Sequence, residues 1–183
     1  MGQPKQLLLV EGEAMVVRAT RVALQSQAAI VRVVTGAAAD EVGALLRATF
    51  PANARLELVH NADFAMGQAS SVRCGIVELP AEIGAALYLP TDQPWLGVGL
   101  LDALIAAWQA GARLAAAAVD GKARGAPAIF DRTLWPSLAQ LSGDIGARAL
   151  FQAYATEIVP VAASASELRD LDTPADVQAA ASE

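Results

Sequence analysis

The sequence predicts an α/β fold, on two observations. Strand-like and helix-like runs alternate from one end of the 183-residue chain to the other, and the strand-like runs are uniformly apolar instead of alternating in polarity. A strand that is apolar on both faces belongs to a parallel sheet covered by helices on each side. Composition agrees, since 55% of the residues are hydrophobic and only 17% charged, enough to bury a core and unlike a disordered segment. No linker or internal repeat divides the chain, so a single domain is expected over residues 1–183.

The chain opens weakly, because the apolar run from Leu7 to Val10 is short and no strong strand precedes the first helix. That helix is expected over about 13–27, where Met15, Ala19, Val22 and Ala23 share one face. Residues 30–36 read as a strand, and Asp40 as the cap of a helix burying Val42, Leu45 and Leu46. A second strand at 56–60 and a third at 85–89 enclose a helix at 68–79, and Gly111 closes the long helix that follows. Further strands are expected at 114–119, briefly at 128–130, and at 158–161, with helices at 132–140, 146–154 and 174–180.

Charge and cysteine content exclude several functions. The net charge is −6 with no basic stripe, which argues against a nucleic-acid partner, since that affinity rests on clustered Lys and Arg neutralising phosphates. The apolar run 114–119 is far too short to span a bilayer, so no membrane partner is expected. Cys74 is the one cysteine, and Pro4 and Gln6 stand where a signal peptide needs an apolar centre, with Glu11 soon after, so a cytoplasmic location is expected. Much of the hydrophobic fraction is alanine, 42 residues of it, which favours helix more than it fills a core.

Ligands of open parallel sheets lie beyond the carboxyl ends of the strands, so the polar residues there are the candidates. After the second strand come Asn61 and Gly67, then Ser70 and Ser71 in the first turn of a helix. A hydroxyl and free N–H groups there can hold a phosphate or ribose, or simply cap the helix. After the third strand comes Thr91-Asp92-Gln93-Pro94, where a carboxylate suits Mg²⁺, with a helix cap as the competing role. Near the C-terminus Asp170 and Asp172, spaced i, i+2, would share one side of an extended segment and face one metal, or cap the helix that Pro174 opens. The turn Gly143-Asp144-Ile145-Gly146-Ala147-Arg148 ends in an arginine able to fork onto a phosphate. One histidine, His60, and one cysteine leave Ser-His-Asp, Cys-His and zinc chemistry unsupported. Neither a Walker loop nor a G-x-G-x-x-G fingerprint occurs.

Six segments in order resemble the molybdenum cofactor nucleotidyltransferases, in particular their cytidylyltransferase-like branch. Met1 to Leu8 resembles the end of the N-terminal signature, with its Met-Gly, Lys and two leucines. Asn61 with Gly67 and Ser70-Ser71 resembles the Asn…Gly-Met-x-x-Ser segment, and Leu89 to Pro94 the Leu-x-Asp-Gln-Pro metal motif. Residues 121–130 resemble Gly-x-x-Gly-His-Pro, residues 141–148 the Gly-Asp-x-Gly-Ala-Arg loop, and residues 170–176 the Asp-Ile-Asp-Thr-Pro-x-Asp ending.

The resemblance implies a Rossmann-like three-layer nucleotidyltransferase fold with a mostly parallel sheet. It further implies Mg²⁺-dependent transfer of CMP from CTP to the phosphate of molybdopterin, with pyrophosphate leaving, and a client molybdoenzyme as a further partner. Asp92 and Asp172 would hold Mg²⁺ with Asp170 as helper, and Lys5 would stabilise the triphosphate. Asn61, Gly67, Ser70, Asp144 and Arg148 would contact substrate. Two departures stand out. The Leu-Ala-Ala-Gly-x-Ser-x-Arg strand and loop that precede Met-Gly in the family do not appear, and Ala126 replaces the histidine before Pro127. The expectations are therefore a sheet with its first strand missing, a loosely held Lys5 close to the chain start, and weak nucleotide binding by the chain as it stands. The alternatives are a same-fold transferase using GTP or another phosphorylated acceptor, and a non-catalytic protein that binds and delivers the cofactor.

Overall fold

Backbone pairing joins the described strands into three separate sheets. The computed structural model describes residues 4–172 and Asp176, so the helix expected at 174–180 lies, Asp176 apart, outside the described residues. A small antiparallel hairpin, β1 (Leu9–Val10) and β2 (Glu13–Ala14), turns through Glu11 and Gly12, both at positive φ. Helix α1 (Met15–Gln25) leads to β3 (Val31–Thr35), α2 (Ala39–Thr49) and β4 (Leu56–His60). β3 and β4 pair in parallel from Val31 opposite Leu56 to Thr35 opposite His60. Helix α3 (Gln68–Ile76) then precedes β5 (Ala85–Tyr88), α4 (Val98–Gln109), β6 (Leu114–Val119) and β7 (Lys122–Asp131). Two short helices, α5 (Trp135–Ala139) and α6 (Ala149–Ala153), and β8 (Ile158–Ala162) follow.

The larger sheet has the order β5-β7-β6-β8. β7 runs antiparallel to β5 and β6, and β8 parallel to β6, so β5, β6 and β8 share one direction and β7 alone opposes it. β6 shows why the strands carry no alternation. Leu114 and Ala116 enter one core with Phe130, Leu134 and Leu138, whereas Ala115 and Ala117 enter another with Leu100, Leu104 and Ile129. Both faces of β6 are thus buried and the architecture has three layers.

Four expectations need correction. The short strand at 128–130 is the end of the ten-residue β7, which forms a hairpin with β6 through Asp120-Gly121, both at positive φ as a tight hairpin turn requires. Asp40 does not cap α2; the N-cap is Ala38, with no side-chain cap, and Asp40 sits in the first turn, where its charge favours the helix dipole. The helix at 132–140 is a 3₁₀ turn (Arg132–Leu134) followed by α5, with Pro136 at its start. Of the stretch 146–154 only α6 is α-helical. Gly111, at φ +104 directly after the C-cap Ala110, does close α4.

No ladder joins β3 to β5. The two strands still approach one another through α3, since Val34 Cγ2 and Tyr88 Cε1 each lie 3.7 Å from where a side chain on Gly75 would begin. Next to this interruption is a cavity of about 120 Å³, lined among others by Gln6, Val34, Thr35, Gly36 and Thr91.

Candidate active site

Two groups of side chains make up the candidate site. The first is acidic with a lysine at its centre. Lys5 stands on a 3₁₀ turn (Lys5–Leu7) closed by the Leu7 N–H to Pro4 and the Leu8 N–H to Lys5 carbonyls. Its Nζ donates to Asp92 Oδ2 at 2.8 Å and to Asp172 Oδ1 at 2.8 Å. The two carboxylate oxygens are therefore no further apart than twice that distance. Burial by itself would lower the Lys5 pKa, but hydrogen bonds to Asp172 and Asp92 and their charges outweigh it, and the value is raised. The loose Lys5 expected from its place in the chain is not found.

Packing explains how these residues meet. Leu171, fully buried, joins Val10 and Met15 in a small core against which Leu8 and Trp95 pack. Its N–H donates to the carbonyl of Asp92 at 2.9 Å. Burying Leu171 turns its flanking acids the other way, Asp172 to Lys5 and Asp170 to Gln93, whose Nε2 donates to Asp170 Oδ1 at 2.9 Å. Asp92 caps no helix, because α4 starts at Val98 with Gly97 as an N-cap that lacks a side-chain bond.

The second group frames the start of α3. Asn61 and Ser70 are both buried, and the Asn61 amide donates to Ser70 Oγ at 2.8 Å and Ser71 Oγ at 3.0 Å. Ser70 Oγ donates in turn to the Gly67 carbonyl at 2.8 Å, and Asn61 Oδ1 accepts the Asp63 N–H. Gly67, at φ +101, lets the loop at 143–146 approach; a side chain there would begin 2.4 Å from the Gly143 carbonyl. That carbonyl accepts the Ala69 N–H at 3.1 Å, and Asp144 Oδ1 accepts the Gln68 N–H at 3.4 Å, so a loop remote in sequence satisfies the free donors of α3. Arg148 lies across Gly125, with Cδ 3.0 Å from where a side chain there would begin. It is exposed, and among the described residues it has no hydrogen-bond or ion-pair partner.

The smaller cavity is lined by chain neighbours of the first group and not by the side chains of either group named above. Gln6 and Thr91, which adjoin Lys5 and Asp92, line it together with Thr35 and Gly36. The Thr35 carbonyl accepts the Asn61 N–H at 2.8 Å, and Phe64 packs against Gly36. Sequence reasoning missed Thr35, Gly36 and the buried Gln93, whose Oε1 has no partner among the described residues. A polar side chain between Asp92 and Pro94 was the available signal.

The donor set is all oxygen, as a hard cation prefers. Among the described residues no three His, Cys, Asp or Glu side chains converge as a metal-binding group. The available pair is Asp92 and Asp172, and Mg²⁺ is commonly held by one or two carboxylates with waters and substrate phosphates completing its shell. A larger cavity of about 510 Å³ is lined by Asn61 and Ser70 themselves, together with His60, Cys74, Arg32 and Arg73. Burial pushes the Cys74 thiol up and the Arg32 charge only partly offsets this, the opposite of an activated nucleophile.

Residues 1–158 match the family described as the MobA-like NTP transferase domain. The chain belongs to this family. Membership makes it a nucleotidyltransferase-type protein whose substrate is a nucleoside triphosphate. Among solved structures, Rv0371c from Mycobacterium tuberculosis H37Rv is similar with a TM-score of 0.79 at 23% identity, over 100% of this chain and 92% of its own. A structure of Rv0371c in complex with manganese gives 0.73 at 19% identity, over 100% and 94%. The 4-diphosphocytidyl-2C-methyl-D-erythritol synthase of Anaerococcus prevotii DSM 20548 gives 0.76 at 12% identity, over 95% and 87%. These likenesses establish the Rossmann-like nucleotidyltransferase fold. No curated protein matches the chain by sequence. Among the described residues no helix is long and apolar enough to cross a membrane.

Proposed function

We propose that this MobA-like domain, residues 1–183, transfers CMP from CTP to the terminal phosphate of molybdopterin in the cytoplasm, for delivery to a client molybdoenzyme. The observation that carries the reading is the convergence of Lys5, Asp92 and Asp172 beside a cavity at the carboxyl end of β5. An oxygen of the acceptor phosphate attacks the α-phosphorus of CTP, the bond to the β-phosphate oxygen breaks, and pyrophosphate leaves. Asp92 and Asp172 would hold Mg²⁺, with Asp170 helping through Gln93. Bound there, the ion supplies charge neutralisation for the triphosphate, and the manganese in the similar Rv0371c structure supports a divalent site.

The chain's own residues position and neutralise. Lys5 stabilises the triphosphate. Asn61 and Ser70 hold Gly67 and the first turn of α3 against the loop carrying Asp144, which shapes the nucleotide side. Arg148, free of any acid among the described residues, is placed to meet phosphate. The attacking phosphate is already ionised, so no general base of shifted pKa is needed.

Ala126 in place of histidine favours a second reading, a carrier that binds the cofactor without turnover. Pyrophosphate release from CTP or GTP, with molybdopterin and Mg²⁺, separates the possibilities. Release with CTP supports the proposal, release with GTP alone moves the nucleotide, and acceptor binding without release moves the function to the carrier.

A further inference from the structure

We propose that the Lys5 ammonium is the resident counter-cation of the Asp92–Asp172 pair and gives way to a divalent cation, so that metal binding frees Lys5 for the triphosphate. The inference rests on the site assignment made above and adds an order to its assembly. Nζ stands 2.8 Å from one oxygen of each carboxylate. A Mg²⁺ ion held by the same two carboxylates would compete with the ammonium for the space between them. Two cations in that space would repel strongly, so one must leave. The charges decide which: one ammonium leaves the pair with a residual negative charge, whereas a divalent ion neutralises both carboxylates.

The residue type fits an exchangeable cation. The chain has two lysines, Lys5 and Lys122, against eleven arginines, yet the carboxylate pair is met by lysine. Arginine would grip a carboxylate with a planar, two-pronged bond, whereas a single ammonium on a flexible stem can swing away. The Lys5 side chain is 34% exposed, and the backbone bonds of its turn do not involve the side chain. It can therefore depart without the turn opening. Asp170 accepts from Gln93 instead of Lys5, so the ammonium is shared by Asp92 and Asp172.

The test is Mn²⁺ titration without nucleotide, following free Mn²⁺ by electron paramagnetic resonance. Lys5→Met is expected to bind Mn²⁺ on the order of tenfold more tightly than the unsubstituted protein, with Lys5→Gln behaving alike if Lys5→Met folds poorly. In the unsubstituted protein, acetylation of Lys5 by an N-hydroxysuccinimide ester, read by mass spectrometry against Lys122, should accelerate several-fold as Mn²⁺ saturates. Equal or weaker binding by both variants, or an acetylation rate that ignores bound Mn²⁺, overturns the exchange. Asp92→Asn separates the two levels. Undiminished Mn²⁺ binding by that variant would remove the site itself, whereas its loss alongside unchanged Lys5 variants would overturn the exchange alone.

Discussion

The backbone N–H of Leu171 donates to the carbonyl of Asp92 at 2.9 Å, which ties the chain after β8 to the exit of β5 at the point where their carboxylates meet Lys5. The acidic pair therefore depends on a hydrophobic anchor. Leu171→Ala should cost about 2–5 kcal/mol, the usual range for emptying a fully buried leucine site. It should also loosen Asp172 and weaken Mn²⁺ binding at temperatures where the protein is still folded. Thermal unfolding and Mn²⁺ titration check this, and a variant that loses stability while keeping its metal affinity would show that Asp172 is held by other means.

Asp92→Asn should leave the melting temperature nearly unchanged while reducing Mg²⁺-dependent pyrophosphate release by orders of magnitude. The first half follows because Asp92 caps no helix and loses one partly exposed ion pair, worth about 0–1 kcal/mol. Activity and calorimetry on the same preparation test it. Collapse of the fold would instead make Asp92 a structural residue.

The three layers and most strand positions were legible because burial on both faces writes an unbroken apolar run, as in Leu114–Val119. The extent of β7 was not, because Arg124, Gly125 and Pro127 break that pattern; the Asp-Gly pair at 120–121 was the overlooked hairpin signal. Asp92 and Asp172 were each legible as candidates from local context, and Lys5 only through the family resemblance. Their convergence was not, since Lys5 and Asp172 are 167 residues apart in sequence and meet through the burial of Leu171. For the same reason the capping of α3 by Asp144, 76 residues away, left no local trace.

Stability should carry an acid-side signature from Asp131. Its carboxylate accepts from Trp108 Nε1 at 2.8 Å, from the Thr133 N–H at 2.9 Å and from Thr133 Oγ1 at 2.6 Å. Burial alone would raise its pKa, but the Thr133 and Trp108 bonds and the Arg113 charge outweigh it, and the value falls below the ordinary 3.8. A depressed carboxylate stabilises the fold fully above its unfolded pKa and loses that contribution as pH falls through the folded value. Asp131→Asn should thus cost roughly 0.5–1 kcal/mol near pH 7, reduced by solvent screening. The deficit should shrink below pH 3.8. Urea midpoints across pH check the sign, and a deficit that stays constant into acid would mean that charge is not involved.

Gly67→Ala should disturb the nucleotide side of the site more than any single polar change there. Gly67 sits at φ +101, a conformation an L side chain rarely adopts, and its Cβ would stand 2.4 Å from the backbone of Gly143. Backbone cannot rotate aside as a long side chain can, so either Gly67 leaves its conformation or the loop at 143–146 lifts off α3. Strain of this kind costs about 1–3 kcal/mol. Lifting the loop would break the bond from the Ala69 N–H to Gly143 and the one from the Gln68 N–H to Asp144. Hydrogen exchange should therefore speed up at Gln68 and Ala69 and remain unchanged in β6, which is buried on both faces. CTP affinity should fall together with that protection. Unchanged exchange at both amides with full nucleotide binding would show that the glycine conformation and the docked loop are dispensable to the site.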